Sequence, residues 1–373
     1  MRSYSLIIFL VLTISSLSLA IVRAFDGYSV TLAFFFVVLY LVKSAEKIQI
    51  FHLMVLFALT SFLMLNALKF SSSIDFNEFY RSFAQTFLYL FCYITSFSYR
   101  SQFFSEVDFK KFLVLSTLLI VGFEFFQLLE QFFLHSTASW FWLDGISIST
   151  ANDIGRFEAV NFLGYYRPIS FFHEPSYLGT VLFILFVYND RKIHDRKLYL
   201  VLLLAIVLTL SATVLFFLAT YMLLGLAERH KKWLILILIG GFAASIYSTI
   251  NMLSFLRLTE ITTVGTSGWV RLMLPMTETI ETMKKAYFGI PLGQASFIFD
   301  NSFFLIFSYF GILTPLLFFI WFLYVNKMMK TSLNTARYVV VLSLLLFLNG
   351  AIFTLESAFL SVLVNFTFFE QKS

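Results

Sequence analysis

The chain is poor in the residues that make disulfides and metal sites, and it carries little charge. Its 373 residues include one cysteine, Cys92, so no internal disulfide and no cysteine-ligated metal site can form. Charged residues make up only 13% of the chain, where a soluble domain carries roughly 25%. No Asp-x-Asp pair occurs either. The sequence therefore gives no support to a metal-bound nucleotide sugar, and we predict no metal and no cofactor.

Apolar residues dominate the composition of the chain. Hydrophobic residues reach 60% and the mean hydropathy is +0.87. Apolar runs recur along the chain at the length of about 20 residues that crosses a hydrocarbon core. Helices satisfy their own backbone hydrogen bonds in lipid, whereas the short alternating strands of a barrel are not seen. These features predict an all-α polytopic protein forming a single integral membrane domain over residues 1–373, with roughly 11–12 membrane segments.

Two of the apolar runs are too long for one membrane crossing. The run at 198–227 contains Ser211-Ala212-Thr213 as a plausible break, and the run at 338–369 contains Asn349-Gly350. The start of the chain resembles a signal peptide, but a second apolar run follows it directly. We therefore interpret residues 4–23 as a retained first helix. The apolar runs lie at 4–23, 25–42, 48–68, 80–99, 112–134, 169–188, 198–227, 233–250, 301–325 and 338–369.

Lysine and arginine predict the orientation. The basic clusters between apolar runs all fit the cytoplasmic side if residues 198–227 enter and leave the membrane on the same side, and both termini are then cytoplasmic. The net charge of +5 is thereby a feature of topology and not of nucleic-acid binding. Two long segments, 135–168 and 251–300, remain as extracytoplasmic loops. The clusters are Lys43 and Lys47; Arg100, Lys110 and Lys111; Arg191, Lys192, Arg196 and Lys197; Arg229, Lys231 and Lys232; and Lys327, Lys330 and Arg337.

The first external segment ends in an ionisable cluster at Arg167–Gly179, which reads Arg-Pro-Ile-Ser-Phe-Phe-His-Glu-Pro-Ser-Tyr-Leu-Gly. Pro175 suits the first turn of a helix, so Glu174 is expected to be the cap at the outer membrane surface. One interpretation is purely structural: Glu174 only caps the helix, and His173 only places its ring at the membrane interface. Ionisable groups at membrane depth are nevertheless costly and point to function.

The second external segment, 251–300, carries arginines that oppose the orientation bias. An anionic ligand would explain them, because the planar guanidinium binds phosphate in a bidentate way. For Arg271, within Ser-Gly-Trp-Val-Arg, we favour a ligand; for Lys284 and Lys285 we favour lipid headgroups. The segment closes at Asp300-Asn301, which suits a helix N-cap as well as a functional site.

These motifs together resemble the O-antigen polymerase and ligase superfamily, which includes the Wzy-type polysaccharide polymerases. The stretch Phe172–Gly179 looks like the family's aromatic-x-Glu-Pro-Ser motif, and Leu210–Thr213 looks like its Leu-Ser-x-Thr/Ser break. The glycine turn Phe288–Gly293 and Asp300-Asn301 resemble its last long loop. Gly311 and Thr314 follow at the ligases' spacing. Aspartate stands where the ligases have histidine, which favours a polymerase and puts a histidine base there in doubt.

The resemblance implies a GT-C-like fold and an enzyme of the bacterial cytoplasmic (inner) membrane that makes O-antigen or capsule-type polysaccharide. It implies metal-independent, inverting transfer of a growing glycan from undecaprenyl diphosphate onto a lipid-linked repeat unit. The candidate bases are Glu174, His173 and Asp300. The candidate diphosphate ligands are Arg167 and Arg271, then Arg156 and Arg257. Expected partners are these lipid-linked glycans and membrane lipid, with a chain-length regulator protein as a further candidate.

Two other functions stay open on the sequence alone. A ligase of the same superfamily would join the glycan to a lipid core or a protein. A glycolipid flippase would show repeated halves and charges in mid-helix, whereas the charges here gather in two loops.

Overall fold

The computed structural model describes residues 2–17, 22–24, 28–44, 48–70, 75–97, 107–136, 167–172, 174–229, 264, 269–294, 301–329, 331–348 and 354–369. Nearly all of this part of the chain is helical. The helices are α1 Arg2–Ser15, α2 Leu32–Ser44, α3 Ile50–Lys69, α4 Phe76–Ser96, α5 Phe109–Leu134, α6 Pro175–Tyr188, α7 Arg196–Leu208, α8 Ala212–Arg229, α9 Leu274–Lys285, α10 Ser302–Phe310, α11 Thr314–Met328, α12 Ser332–Leu348 and α13 Leu355–Phe368.

One short hairpin departs from the helical prediction. Strand β1 (Val22–Ala24) pairs antiparallel with β2 (Tyr28–Val30), and Val22 lies opposite Val30. The prediction of a helix over residues 4–23 is therefore wrong at its end, because α1 stops at Ser15. Hydropathy alone cannot separate a helix from a strand in a short apolar stretch. The hydroxyls of Ser15 and Ser16 also bond back to carbonyls four residues earlier, where α1 ends.

Three helical stretches are long and apolar enough to cross a membrane. They are Ile50–Lys69, Phe109–Leu134 and Ser302–Met328, of 20, 26 and 27 residues. The last is α10 and α11 joined by the single 3₁₀ turn Gly311–Leu313. Shorter apolar helices accompany them, among them α2, α12 and α13. The chain is therefore a membrane protein, while the number of crossings stays a prediction.

The described chain forms two compact units from interleaved segments. The first unit comprises residues 1–48, 95–215 and 359–373, and the second comprises 49–94 and 216–358. In the first unit, α5 packs against α1, α6 and α7. Every residue of α6 from Leu178 to Tyr188 is buried. A helix buried on all faces is the centre of its layer, so α6 is the core around which the first unit is built.

A polar turn closes the far end of α6. The π-helical turn Asn189–Ile193 follows α6, and the Asn189 amide donates to the carbonyl of Asp195 at 2.9 Å. Asp195 caps α7 and lies 3.3 Å from the ammonium of Lys110. The N–H of Leu198 and the Lys110 ammonium together hold the pKa of Asp195 below its usual range. These contacts bring the basic start of α5 and the basic α6–α7 turn to one end of the first unit.

The second unit has its own core and well-paired polar groups. Trp321 Nε1 donates to the Tyr93 hydroxyl at 2.7 Å, and Tyr93 shares a 3.1 Å hydrogen bond with Tyr338. Arg337 pairs with Glu228 at 3.3 Å and lies over the ring of Tyr221. The apolar cluster of this unit contains Leu63, Ala67, Phe79, Leu292, Leu305, Tyr309 and Phe310.

Candidate active site

The segment Arg167–Ser170 is held against α5 by hydrogen bonds. Gln127 Oε1 accepts the backbone N–H of Ile169 at 3.0 Å and that of Ser170 at 2.8 Å. The Ser170 hydroxyl donates to the carbonyl of Ile120 at 2.8 Å. Ser170 adopts the left-handed region, with φ 50°, which is costly for a residue with a Cβ. The contacts to α5 keep this conformation and fix the path of the chain into α6.

Glu174 occupies the N-cap position of α6, as predicted, and Pro175 begins the helix. Its side chain makes no capping hydrogen bond to the backbone. Glu174 Oε2 instead accepts the hydroxyl of Ser176 at 2.9 Å, and the residue is only 8% exposed. A capping carboxylate would accept the N–H of the second or third helical residue. Capping alone therefore does not account for this buried carboxylate.

The predicted break in the long apolar run exists and contacts the arginine segment. α7 ends at Leu208 and α8 begins at Ala212. Leu210 in the break has φ 46°, and its carbonyl accepts a hydrogen bond from Arg167 Nη1 at 3.3 Å. Two of the motifs identified in the sequence, which stand 43 residues apart, are therefore joined at one place in the first unit.

The break also packs tightly on α6, five residues beyond Glu174. A Cβ added to Gly179 would lie 3.0 Å from the Val214 side chain and 3.1 Å from the Thr209 hydroxyl. These distances are tighter than ordinary contacts. The glycine of the aromatic-x-Glu-Pro-Ser stretch thus serves the close approach of α6 to the break.

A carboxylate that sequence reasoning did not single out lies beside this arrangement. Glu124 in α5 is 0% exposed, and both of its carboxyl oxygens lack a hydrogen-bond partner among the described residues. It stands between Ile120 and Gln127, the two residues of α5 that hold Ser170. The available signal was an acidic residue within the apolar run 112–134, since ionisable residues in membrane helices are rare.

Several predicted site residues lie outside the described residues. These are His173, Asp300, Arg156 and Arg257. The backbone of Arg271 lies in the π-helical turn Trp269–Met273, directly before α9, and its side chain is outside the described part. Of the predicted residues, the structure therefore describes the side chains of Arg167 and Glu174, in the same unit.

The glycine turn Phe288–Gly293 makes a close backbone crossing in the second unit. The N–H of Ile290 donates to the backbone carbonyl of Ser308 at 2.8 Å, and the N–H of Ile312 donates to that of Tyr287 at 3.0 Å. A Cβ at Gly289 would lie 2.3 Å from the Tyr309 carbonyl oxygen, and one at Gly311 would lie 2.2 Å from that of Tyr287. The glycines of this motif are required by packing.

Asn301 and Asn66 complete this crossing. The Asn301 side chain accepts the N–H of Phe303 at 3.1 Å, so it caps α10, which is the structural alternative foreseen from the sequence. The Asn66 amide donates to the carbonyls of Phe288 at 3.0 Å and Tyr309 at 3.3 Å. We call the region formed by Tyr287–Gly293, Asn301–Gly311 and Asn66 the glycine crossing.

Within the described residues, no three His, Cys, Asp or Glu side chains come together as a metal site would require. The polar groups described at this candidate site are the guanidinium of Arg167, the carboxyl groups of Glu124 and Glu174, the Gln127 amide and the hydroxyls of Ser170 and Ser176. Such a set can bind an anion at the guanidinium and accept a proton at a carboxylate.

The chain was compared with known protein families, curated proteins and solved structures. The family model "WcaD colanic acid polymerase" matches residues 5–368. No curated protein and no solved structure matches the chain. The match confirms the resemblance to Wzy-type polymerases, supports a polysaccharide polymerase and implies lipid-linked glycan substrates. Because it spans nearly the whole chain, from the start of α1 to the end of α13, the protein belongs to the WcaD colanic acid polymerase family.

Proposed function

We propose that this protein lengthens a glycan carried on undecaprenyl diphosphate at the extracytoplasmic face of the bacterial cytoplasmic membrane. The donor is the growing chain on its lipid, and the acceptor is one repeat unit on the same kind of lipid. The single observation that carries the proposal is the buried carboxylate of Glu174. This carboxylate makes no capping hydrogen bond to the backbone. It lies at the start of the buried helix α6, seven residues after Arg167.

The proposed reaction is a single displacement at the anomeric carbon of the donor sugar. An acceptor hydroxyl oxygen forms the new bond to that carbon. The bond from the carbon to the diphosphate oxygen breaks, and its electron pair leaves with the lipid diphosphate. The hydroxyl proton passes to a base on the protein. Attack opposite the leaving group inverts the anomeric configuration, and no metal is needed for this balance.

Glu174 is the first choice for the base, with His173 and Asp300 as alternatives. A base must reach the acceptor hydroxyl within hydrogen-bond distance. The hydrogen bond from Ser176 to Glu174 Oε2 fixes the direction of the carboxylate at 2.9 Å, which suits a group that must be aimed. A general base of this kind typically contributes 10²–10⁴-fold in rate.

Arginines are proposed to stabilise the departing diphosphate. Charge builds on the leaving oxygen in the transition state, and positioned donors there are usually the largest catalytic contribution. Arg167 and Arg271 are the first candidates, followed by Arg156 and Arg257. The hydrogen bond from Arg167 Nη1 to Leu210 orients the guanidinium plane relative to the helix break.

The charge distribution of the first unit supports the proposed side of the membrane. Lys110, Asp195 and the basic α6–α7 turn lie together at one end. α6 has 14 residues and continues into a five-residue turn, so Glu174 lies roughly 25 Å away at 1.5 Å per residue. If the basic end is cytoplasmic, as the positive-inside rule requires, Glu174 is near the extracytoplasmic surface.

The test is chain extension by the purified protein in liposomes. Lipid-linked repeat units are extracted from a strain that lacks this gene. We expect a ladder of products that differ by one repeat unit, with one lipid diphosphate released for each linkage, and the same ladder in the presence of EDTA. A reaction that requires a divalent metal would contradict the proposed mechanism.

The same experiment separates the alternatives. A ligase would leave the lipid-linked units unjoined until a lipid core or protein acceptor is added. A flippase would move the units across the bilayer without making any new glycosidic bond. Either of these results, in place of the ladder, would overturn the proposal.

A further inference from the structure

Glu124 carries a fully buried carboxyl group within the apolar helix α5. It is 0% exposed, and among the described residues neither carboxyl oxygen has a hydrogen-bond partner. A carboxyl group buried in a membrane helix without a partner is costly. The hydroxyls of Ser116 and Thr117 on the same helix are also unpartnered, but a single neutral hydroxyl costs much less than a carboxyl group.

Two other acidic and amide groups on this part of α5 do have donors, although the amide oxygen of Gln131 does not. Gln127 accepts the N–H groups of Ile169 and Ser170. Glu130 accepts the hydroxyl of Ser136 at 2.9 Å. The fold therefore supplies donors to Gln127 and Glu130, which follow Glu124 on this helix. The fold leaves Glu124 without one, which points to a ligand.

The position of Glu124 connects it to the candidate active site. Residues three and four apart lie on one face of a helix, so Glu124 stands between Ile120 and Gln127, which both bind Ser170. The ring of Phe123 stacks on that of Phe171 at 4.6 Å. The carboxyl group therefore lies beneath the chain that leads from Arg167 to Glu174.

The chemistry of this position selects the ligand. The carboxyl oxygens of Glu124 are hydrogen-bond acceptors, so the ligand is a hydrogen-bond donor. A metal cation such as Ca²⁺ would need several further oxygen ligands, and the nearby Gln127 oxygen already accepts two backbone N–H groups. Adjacent hydroxyls of a sugar ring meet the requirement, because the two oxygens of a carboxyl group can accept from two donors.

We propose that Glu124 binds hydroxyl groups of a sugar ring of the lipid-linked glycan beneath the Arg167–Ser170 segment. This inference rests on the proposed function, since it names the part of the substrate that the same site holds. Glu124 is then a substrate-binding residue, separate from the base at Glu174 and from the arginines that face the diphosphate.

The test uses the variants Glu124→Met and Glu124→Gln in the full-length protein. Met is close in volume and apolar, so no fold partner is lost and the melting temperature should stay equal or rise. The KM for lipid-linked repeat units should rise about tenfold, because two hydrogen bonds to the substrate are lost. Gln keeps one acceptor and should show a smaller rise in KM.

The matched control is Glu130→Met, which removes a buried carboxylate whose donor, Ser136, belongs to the fold. Its melting temperature should fall while KM stays within about twofold. A Glu124→Met protein with unchanged KM overturns the inference. So does a loss of several degrees in its melting temperature, because the carboxyl group would then have a structural partner.

A binding measurement keeps this inference separate from the proposed function. Lipid-linked repeat units, added without turnover, should raise the melting temperature of the wild-type protein by mass action. They should do so much less for Glu124→Met. If the wild-type protein binds the units but never joins them, the polymerase proposal fails and the inference stands. If 100 mM sodium, compared with choline, stabilises the wild-type protein but not Glu124→Met, a cation is the ligand and the inference fails.

Discussion

Two regions that correspond to motifs in the sequence differ in how their buried polar groups are hydrogen-bonded. In the first unit, Glu174 is buried without a capping bond and Glu124 lacks a partner among the described residues. In the glycine crossing of the second unit, Asn66 bonds two backbone carbonyls and Asn301 caps α10. The first region holds a buried carboxyl group, Glu124, that no described residue partners, whereas the polar groups described in the second bond to the backbone of the fold.

This difference shows how a motif residue can be assigned to chemistry or to packing. Gly311 belongs to a spacing that resembles the ligases, yet its described role is to let two backbones meet. Glu174 belongs to an equally short motif, but its carboxylate is held by Ser176 and not by the helix end. The two regions should therefore respond differently to substitution: the first in rate, the second in stability.

The largest expected effect is at Glu174. Replacement by Gln keeps the shape and removes the basicity, so chain extension should fall 10²–10⁴-fold if Glu174 is the base. The melting temperature should change little, because no capping bond is lost. Glu174→Asp should keep partial activity, since it only shortens the side chain. Full activity in Glu174→Gln would move the role of base to His173 or Asp300.

The next effect compares two arginines that the structure describes. Arg167→Lys keeps the charge but loses the planar fork, and loss of one positioned donor typically costs 10²–10³-fold in rate. Arg337→Lys disturbs an ion pair with Glu228 and a ring contact with Tyr221. It should therefore lower the melting temperature and leave the rate per folded molecule unchanged. Initial rates and thermal unfolding of both variants provide the measurement. Equal rates for both would remove Arg167 from the diphosphate site.

A smaller effect, on stability alone, is expected at Gly311. An added Cβ would lie 2.2 Å from the Tyr287 carbonyl oxygen, at φ 54°. With ψ at −135°, this backbone lies in a region almost confined to glycine and costs a residue with a Cβ about 1–3 kcal/mol. The clash adds to this, so Gly311→Ala should reduce the amount of folded protein in the membrane. The matched control is Gly122→Ala in α5, where nothing lies within 4 Å. If both variants accumulate equally, the crossing is not as close as described.

The smallest expected effect is at the cap of α10. Asn301→Ala loses the hydrogen bond to Phe303 N–H, and loss of a cap costs about 1 kcal/mol. The melting temperature should fall by a few degrees, and the rate of chain extension should stay within about twofold of wild type. A large loss of rate at normal stability would give the glycine crossing a chemical role.

The sequence predicted the features that depend on local chemistry. Pro175 begins α6, Asn301 caps α10, and the long run breaks between Leu208 and Ala212. Each depends on the conformational preference of one or two residues. The basic clusters at Lys110 and Lys192 likewise marked turns of the chain.

The remaining features depend on contacts between distant residues. Gln127 holds Ser170 from 43 positions away, and nothing in either local sequence indicates this bond. The close approach of Gly289 to Tyr309 is of the same kind. Glu124 is an intermediate case. An acidic residue within an apolar run is visible in the sequence, whereas its lack of a partner among the described residues is visible only in the packed structure. The hairpin at Val22–Val30 was missed because hydropathy describes composition and not conformation.

The most direct test of the account is the rate of chain extension per folded molecule, measured side by side for wild type, Glu174→Gln and Asn301→Ala in liposomes. The account predicts that Glu174→Gln falls below about one hundredth of the wild-type rate at nearly normal melting temperature. Asn301→Ala should keep its rate while it loses about 1 kcal/mol of stability. A Glu174→Gln rate near that of wild type, or a rate in both variants that merely follows melting temperature, would contradict the placement of the chemistry in the first unit.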